Sequence, residues 1–177
     1  MSTTKLPLSL RFYGISPWEL EVFYTLLHNM FNVSEVPSAD QDEDFTTMMY
    51  ITFPLEFNEA FFKWFGTPRW DKVKGIIKEM KRRRGGGNSL RVYIKFTGKP
   101  NIIFTIDLDD RHFFDTAVDK MDFVLELLPY HLDRKKLPNE ITEVSYQFDY
   151  ITGKWIVRAG QSGEQMYQFS ENEWKIT

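Results

Sequence analysis

The chain has 177 residues, a formal net charge of −3, no cysteine, 16% aromatic residues with phenylalanine the commonest, and 27% charged residues. This length and composition suit one folded unit with a sizeable core, and exclude a disulfide-stapled scaffold, a thiolate metal centre, a cysteine nucleophile and a disordered low-complexity chain. The small negative charge argues against a surface that grips nucleic acid everywhere, and the lack of any long apolar run leads to the expectation of a cytoplasmic protein without membrane contact.

Leu6, Leu8, Leu10 and Phe12 alternate with Pro7, Ser9, Arg11 and Tyr13, which predicts a strand ending at Gly14. Ser16, Pro17 and Glu19 then have the spacing of a capping box with proline in the first helical turn. The helix they open carries Val22, Phe23, Leu26, Leu27, Met30 and Phe31, apolar around much of its girth, so it should be heavily buried or covered on two sides. Ser34 to Asp44 lacks periodicity and reads as an exposed acidic loop; it has no central glycine and no closing glutamate of a calcium loop. Phe45 to Phe53 is a second strand, stopped by Pro54.

Phe57, Ala60, Phe61, Trp64 and Phe65 sit at helical spacing up to Gly66, with Phe62 off that face. Thr67 and Pro68 restart the chain as cap and first turn of a helix that buries Trp70, Val73, Ile77 and Met80. Its other face is basic and runs through Lys78, Lys81, Arg82, Arg83 and Arg84 into a glycine link. Leu90, Val92, Ile94 and Phe96 alternate with Arg91, Tyr93, Lys95 and Thr97 in a hairpin that turns at Gly98 to Asn101. A long amphipathic helix is expected from Phe114 to Leu128, stopped by Pro129. The alternation from Val144 onward predicts a four-stranded antiparallel meander.

The expected fold is therefore α+β: one antiparallel sheet with about four helices, compatible with a ferredoxin-like split βαβ core. Its sections are strand-helix-strand over 1–53, two inserted helices over 54–87, hairpin and long helix over 88–140, and a meander over 141–177.

Two charged clusters are candidates for function. Lys78, Lys81, Arg82, Arg83 and Arg84, with the row Arg91, Tyr93 and Lys95, could attract phosphates and stack an unpaired base, or meet an acidic protein. Asp107, Asp109, Asp110, His112 and Asp115 crowd the junction of strand and helix, the setting of metal-assisted hydrolysis, although capping of the helix by Asp109 or Asp110 accounts for them more simply. The apolar strand running into Asp107-Leu108-Asp109 resembles the first motif of haloacid dehalogenase-type phosphatases over those few residues. Arg111 stands where that motif carries threonine, and a meander follows instead of further α/β units, so no catalytic role is carried over. Nucleophile elbow, dinucleotide fingerprint and paired metal-ligand histidines are all missing, and no cofactor or metal site is assigned. The leading expectation is a non-catalytic interaction or regulatory module with opposed basic and acidic surfaces, binding another protein or itself. RNA or single-stranded DNA binding is second, and a metal-assisted hydrolase third.

Overall fold

The computed structural model describes residues 4–38, 47–85 and 89–177. Its strands are β1 (Leu6–Tyr13), β2 (Phe31–Pro37), β3 (Thr47–Phe53), β4 (Leu90–Phe96), β5 (Asn101–Ile106), β6 (Glu143–Asp149), β7 (Lys154–Ser162), β8 (Gln165–Ser170) and β9 (Glu173–Ile176). The helices are α1 (Pro17–Leu27), α2 (Glu59–Phe65), α3 (Thr67–Arg84), α4 (Arg111–Lys120) and α5 (Leu128–His131), with a 3₁₀ segment at Met121–Glu126. The acidic run at 39–46 and the glycine link at 86–88 lie outside the described residues.

All nine strands form one sheet in the order β2-β1-β3-β4-β5-β6-β7-β8-β9. The sheet is mixed, where an antiparallel one was expected: β1 with β2, β3 with β4 and β5 with β6 run parallel. Each of these pairs is joined by a helical crossover, and its two strands are immediate neighbours, whereas a split βαβ core would hold a third strand between them. The β6 to β9 meander is as expected, every neighbouring pair antiparallel.

The helices share one face of the sheet. α1 packs on α3, α2 on α3, and α3 on α4, while the Trp155 indole of β7 donates a hydrogen bond to the Ala117 carbonyl of α4 at 2.9 Å. Strand direction then sets the chirality. β1 and β3 are antiparallel and their crossovers move outward in opposite directions, so the first two connections have the same hand; β5 runs with β1 but its crossover moves the other way, so the third connection has the opposite hand.

Under the helices lies an aromatic core. Phe53, Phe61, Phe65, Trp70 and Phe96 pack edge-on and stacked around one another, and Phe104 continues the run to Tyr146 and Trp155. Phe62, expected off the buried face, is only half-exposed because its ring packs edge-on against Phe57, Phe61 and Trp70. The inner side chains of β4, Leu90 to Phe96, are all fully buried and alternate with half-exposed Arg91, Tyr93 and Lys95.

Two elements depart from expectation. β2 occupies residues assigned to the end of a helix and an exposed loop; as an edge strand it buries only Phe31 fully, so its alternation is faint in the sequence. The long helix is regular only to Lys120. Pro129 has no N–H for the Leu125 carbonyl and its ring would crowd that oxygen, so the chain tightens ahead of it into 3₁₀, which still keeps Met121 and Val124 on the core side. Pro129 itself stands in the first turn of α5.

The capping box is formed as the sequence predicts. The Glu19 N–H donates to Ser16 Oγ at 3.2 Å, and the Ser16 N–H and hydroxyl both donate to Glu19 Oε1, at 3.2 and 2.9 Å. Ser16→Ala is expected to destabilise the fold by about 1 kcal/mol in urea denaturation. An unchanged midpoint would mean that the cap does not hold α1.

Candidate functional site

Of the α3 cations that the sequence singles out, Lys78, Arg82, Arg83 and Arg84 pair with acids of the same chain. Lys74 pairs with Asp122 and Lys78 with Asp119, at 3.6 and 2.6 Å, so the acids of α4 and the following turn lie along the basic edge of α3. Lys81 is fully buried. Its amine stands 5.5 Å over the Phe114 ring and bonds Ser89 Oγ; desolvation pushes its pKa down, against the opposing pull of Asp109, Asp107, Asp110 and Asp115. Arg82 and Arg83 both bond Glu79, whose carboxyl is drawn down to about 2, chiefly by Arg82.

Arg84 reaches furthest. Its two terminal nitrogens donate to the two oxygens of Glu19 at 2.7 and 2.8 Å, and Glu19 is 3% exposed. The capping glutamate of α1 is thus also the anchor for the last turn of α3. These bonds hold its carboxyl down at about 2, Arg84 contributing most, although burial opposes them.

The expected row on β4 does face outward, on the side of the sheet away from the helices. Arg91 bonds Asp107 at 3.0 Å and Lys95 pairs with Glu143 at 3.5 Å. Tyr93 stacks on Tyr50, its register partner, with ring centroids 5.3 Å apart; burial raises the pKa of the Tyr50 phenol. The two halves of the sequence-predicted binding surface therefore lie on opposite sides: the α3 tract in the helix layer, and Arg91, Tyr93 and Lys95 on the open sheet face.

At the acidic junction, Asp110 caps α4 by accepting from the Phe113 N–H at 3.1 Å. Burial raises the pKa of Asp115. Among the described residues no three His, Asp or Glu side chains are grouped to hold a metal ion. His131 shares a 2.9 Å hydrogen bond with the Tyr146 hydroxyl, and burial depresses its pKa.

The surface that the sequence reading missed is a groove of about 940 Å³ between α1 and α3. The two helices run antiparallel, because α1 follows β1 whereas α3 leads into β4, which is antiparallel to β1. Half-exposed Val22, Leu26 and Ile76 line the groove with Met80 beneath them. At one end Arg83 lies over the Trp18 ring at 4.3 Å, and Trp18 is still 55% exposed. At the other end are Arg69 and Lys72. Arg69 donates only to the Phe65 carbonyl, at 2.9 Å, and neither cation has an ion pair among the described residues. Gly75 faces the groove mid-helix, and a Cβ built on it would meet nothing within 4 Å. Two sequence signals could have found this place: the apolar girth of α1, which called for a second cover, and a glycine inside an otherwise strong helix.

Compared with known proteins, the sequence matches no family model, and neither a curated protein nor a solved structure matches it. Among the described residues no helix is long and apolar enough to cross a membrane.

The Glu19–Arg84 pair makes a pH prediction. A carboxyl depressed from 4.5 to about 2 contributes stability that is fully present above pH 4.5 and is lost as pH falls toward 2. Arg84→Met leaves the Glu19 carboxylate buried without its guanidinium, so it should destabilise by about 3 kcal/mol at neutral pH. That penalty should shrink through this same window as Glu19 is protonated in both proteins. Urea denaturation as a function of pH checks it, and a penalty independent of pH would refute the assignment.

Proposed function

We propose that this chain is a non-catalytic protein-interaction module that docks its partner in the groove between α1 and α3. The observation that carries this reading is Gly75. A glycine inside a helix costs about 1 kcal/mol relative to alanine, and at 75 no neighbouring atom or backbone angle calls for one. Space against the groove is the benefit that remains. The apolar lining supports the reading too, since Val22, Leu26 and Ile76 are left half-exposed side by side. The lack of cysteine supports a cytoplasmic setting. The charged surfaces contribute less to binding than their sequence suggests, because most of their charge is neutralised within the chain.

Two substitutions at Gly75 test the proposal. Gly75→Ala should raise stability by about 1 kcal/mol and, by placing a methyl group where the partner comes closest, weaken docking. Gly75→Trp should fill the groove while the protein stays folded. Peptides selected from a displayed random library on the folded wild type should then bind Gly75→Ala more weakly and fail on Gly75→Trp. Equal binding to all three proteins, or no enrichment at all, would overturn the reading.

A second reading, single-stranded nucleic acid on the open sheet face, is favoured by one observation. Tyr50 and Tyr93 stack at its centre, and exposed Arg11 is the register partner of Tyr50. It requires that oligonucleotide affinity fall steeply with salt and that Arg11→Ala and Tyr93→Ala weaken it. Affinity that is undetectable, or unchanged by both substitutions, would end this reading.

A further inference from the structure

We infer that the occupant of the α1–α3 groove is an amphipathic α-helix carrying a carboxylate where it lies over Arg69 and Lys72. This rests on the reading of the groove as the docking site and names the class of partner.

The helical conformation follows from the lining of the groove. Its walls are two helices whose backbone groups are already bonded internally, so it offers side chains and no free ladder of N–H and C=O groups. An extended segment laid on Val22, Leu26 and Ile76 would have half its backbone groups facing hydrocarbon without partners. A helix satisfies its own backbone and presents an apolar stripe. The antiparallel walls already form the groove into which the ridges of a third helix pack. Gly75 lies midway along α3, where loss of a single side chain lets a neighbouring helix approach most closely.

The carboxylate follows from the charges left over. On α3, Lys74, Lys78, Arg82, Arg83 and Arg84 are each paired with an acid of this chain, and Lys81 is buried facing the acids of the strand-to-helix junction. Arg69 and Lys72, three positions apart and both lining the groove, are the α3 cations without an acid among the described residues. At the opposite end Arg83 is committed to Glu79 and to the face of Trp18. The groove therefore has an electropositive end at Arg69 and Lys72 and an opposite end where Arg83 already faces the acids Glu79 and Glu21, which specifies both the sign of the partner and the end at which its acid falls.

The test uses the full chain and the displayed random library as probe, with Arg69→Glu/Lys72→Glu as the charge-reversed protein and Thr25→Trp as a second groove-filling variant. Wild-type selections should yield peptides with apolar residues at three- and four-residue spacing and with Asp or Glu at one end. Those peptides, made synthetically, should become helical on binding and lose roughly tenfold or more in affinity for the charge-reversed protein. Selections on that protein should favour lysine or arginine in place of the acid. If binders are blocked by both tryptophan variants but are extended, or are indifferent to the charge reversal, the helix or the carboxylate is wrong and the groove remains the docking site. If neither tryptophan variant blocks them, the groove itself is wrong and this inference falls with it.

Discussion

α3 is held by opposite charge on both flanks, and the helix layer depends on that. On one side Arg84, itself half-buried, closes a bidentate pair with the buried Glu19 of α1; on the other, Lys74 and Lys78 meet Asp122 and Asp119 beyond α3. The exposed pairs are individually worth a few tenths of a kcal/mol to about 1 kcal/mol, whereas loss of one member of the buried pair strands a charge. Apolar contact from Trp70, Val73, Ile77 and Met80 supplies the adhesion to the sheet. Direction along that surface is another matter, because hydrocarbon packing tolerates sliding and a matched row of charges does not.

The same row explains what the sequence could and could not reveal. Where neighbours in the chain are neighbours in space, the reading was sound: Ser16 with Glu19, the alternation from Leu90 to Phe96, the three- and four-residue spacing from Trp70 to Met80. The partners of the basic face were not legible, since Glu19 lies 65 residues before Arg84 and Asp119 lies 41 after Lys78. In the sequence Asp119 and Asp122 look like solvated acids and the α3 cations look free; docking α4 and the following turn against α3 pairs them. β2 was missed for a different reason, because an edge strand with a single fully buried side chain leaves little alternation. The 3₁₀ segment was hidden because three-residue spacing serves both kinds of helix.

The groove was invisible for a third reason: it consists of what is missing. Apolar residues on two sides of α1 signal a need for cover, and only the tertiary structure shows that the sheet covers Leu20, Phe23 and Leu27 while Val22 and Leu26 are left to the groove. Glycine at 75 would pass in a sequence as ordinary tolerance. It acquires meaning once the helix is docked and the space beside it is found open.

The reversal of hand at the third crossover governs the other side of the molecule. Had the connection from β5 to β6 turned the same way as its two predecessors, α4 would have landed behind the sheet, over the outward side of β5 to β7 and beside the β4 row of Tyr93 and Arg91. Polar tips on those strands would then have required burial, and the acids that grip α3 would have been on the wrong side of it. The mirror sense of one loop thus divides the protein into a greasy, helix-clad front and a back of stacked phenols in contact with water.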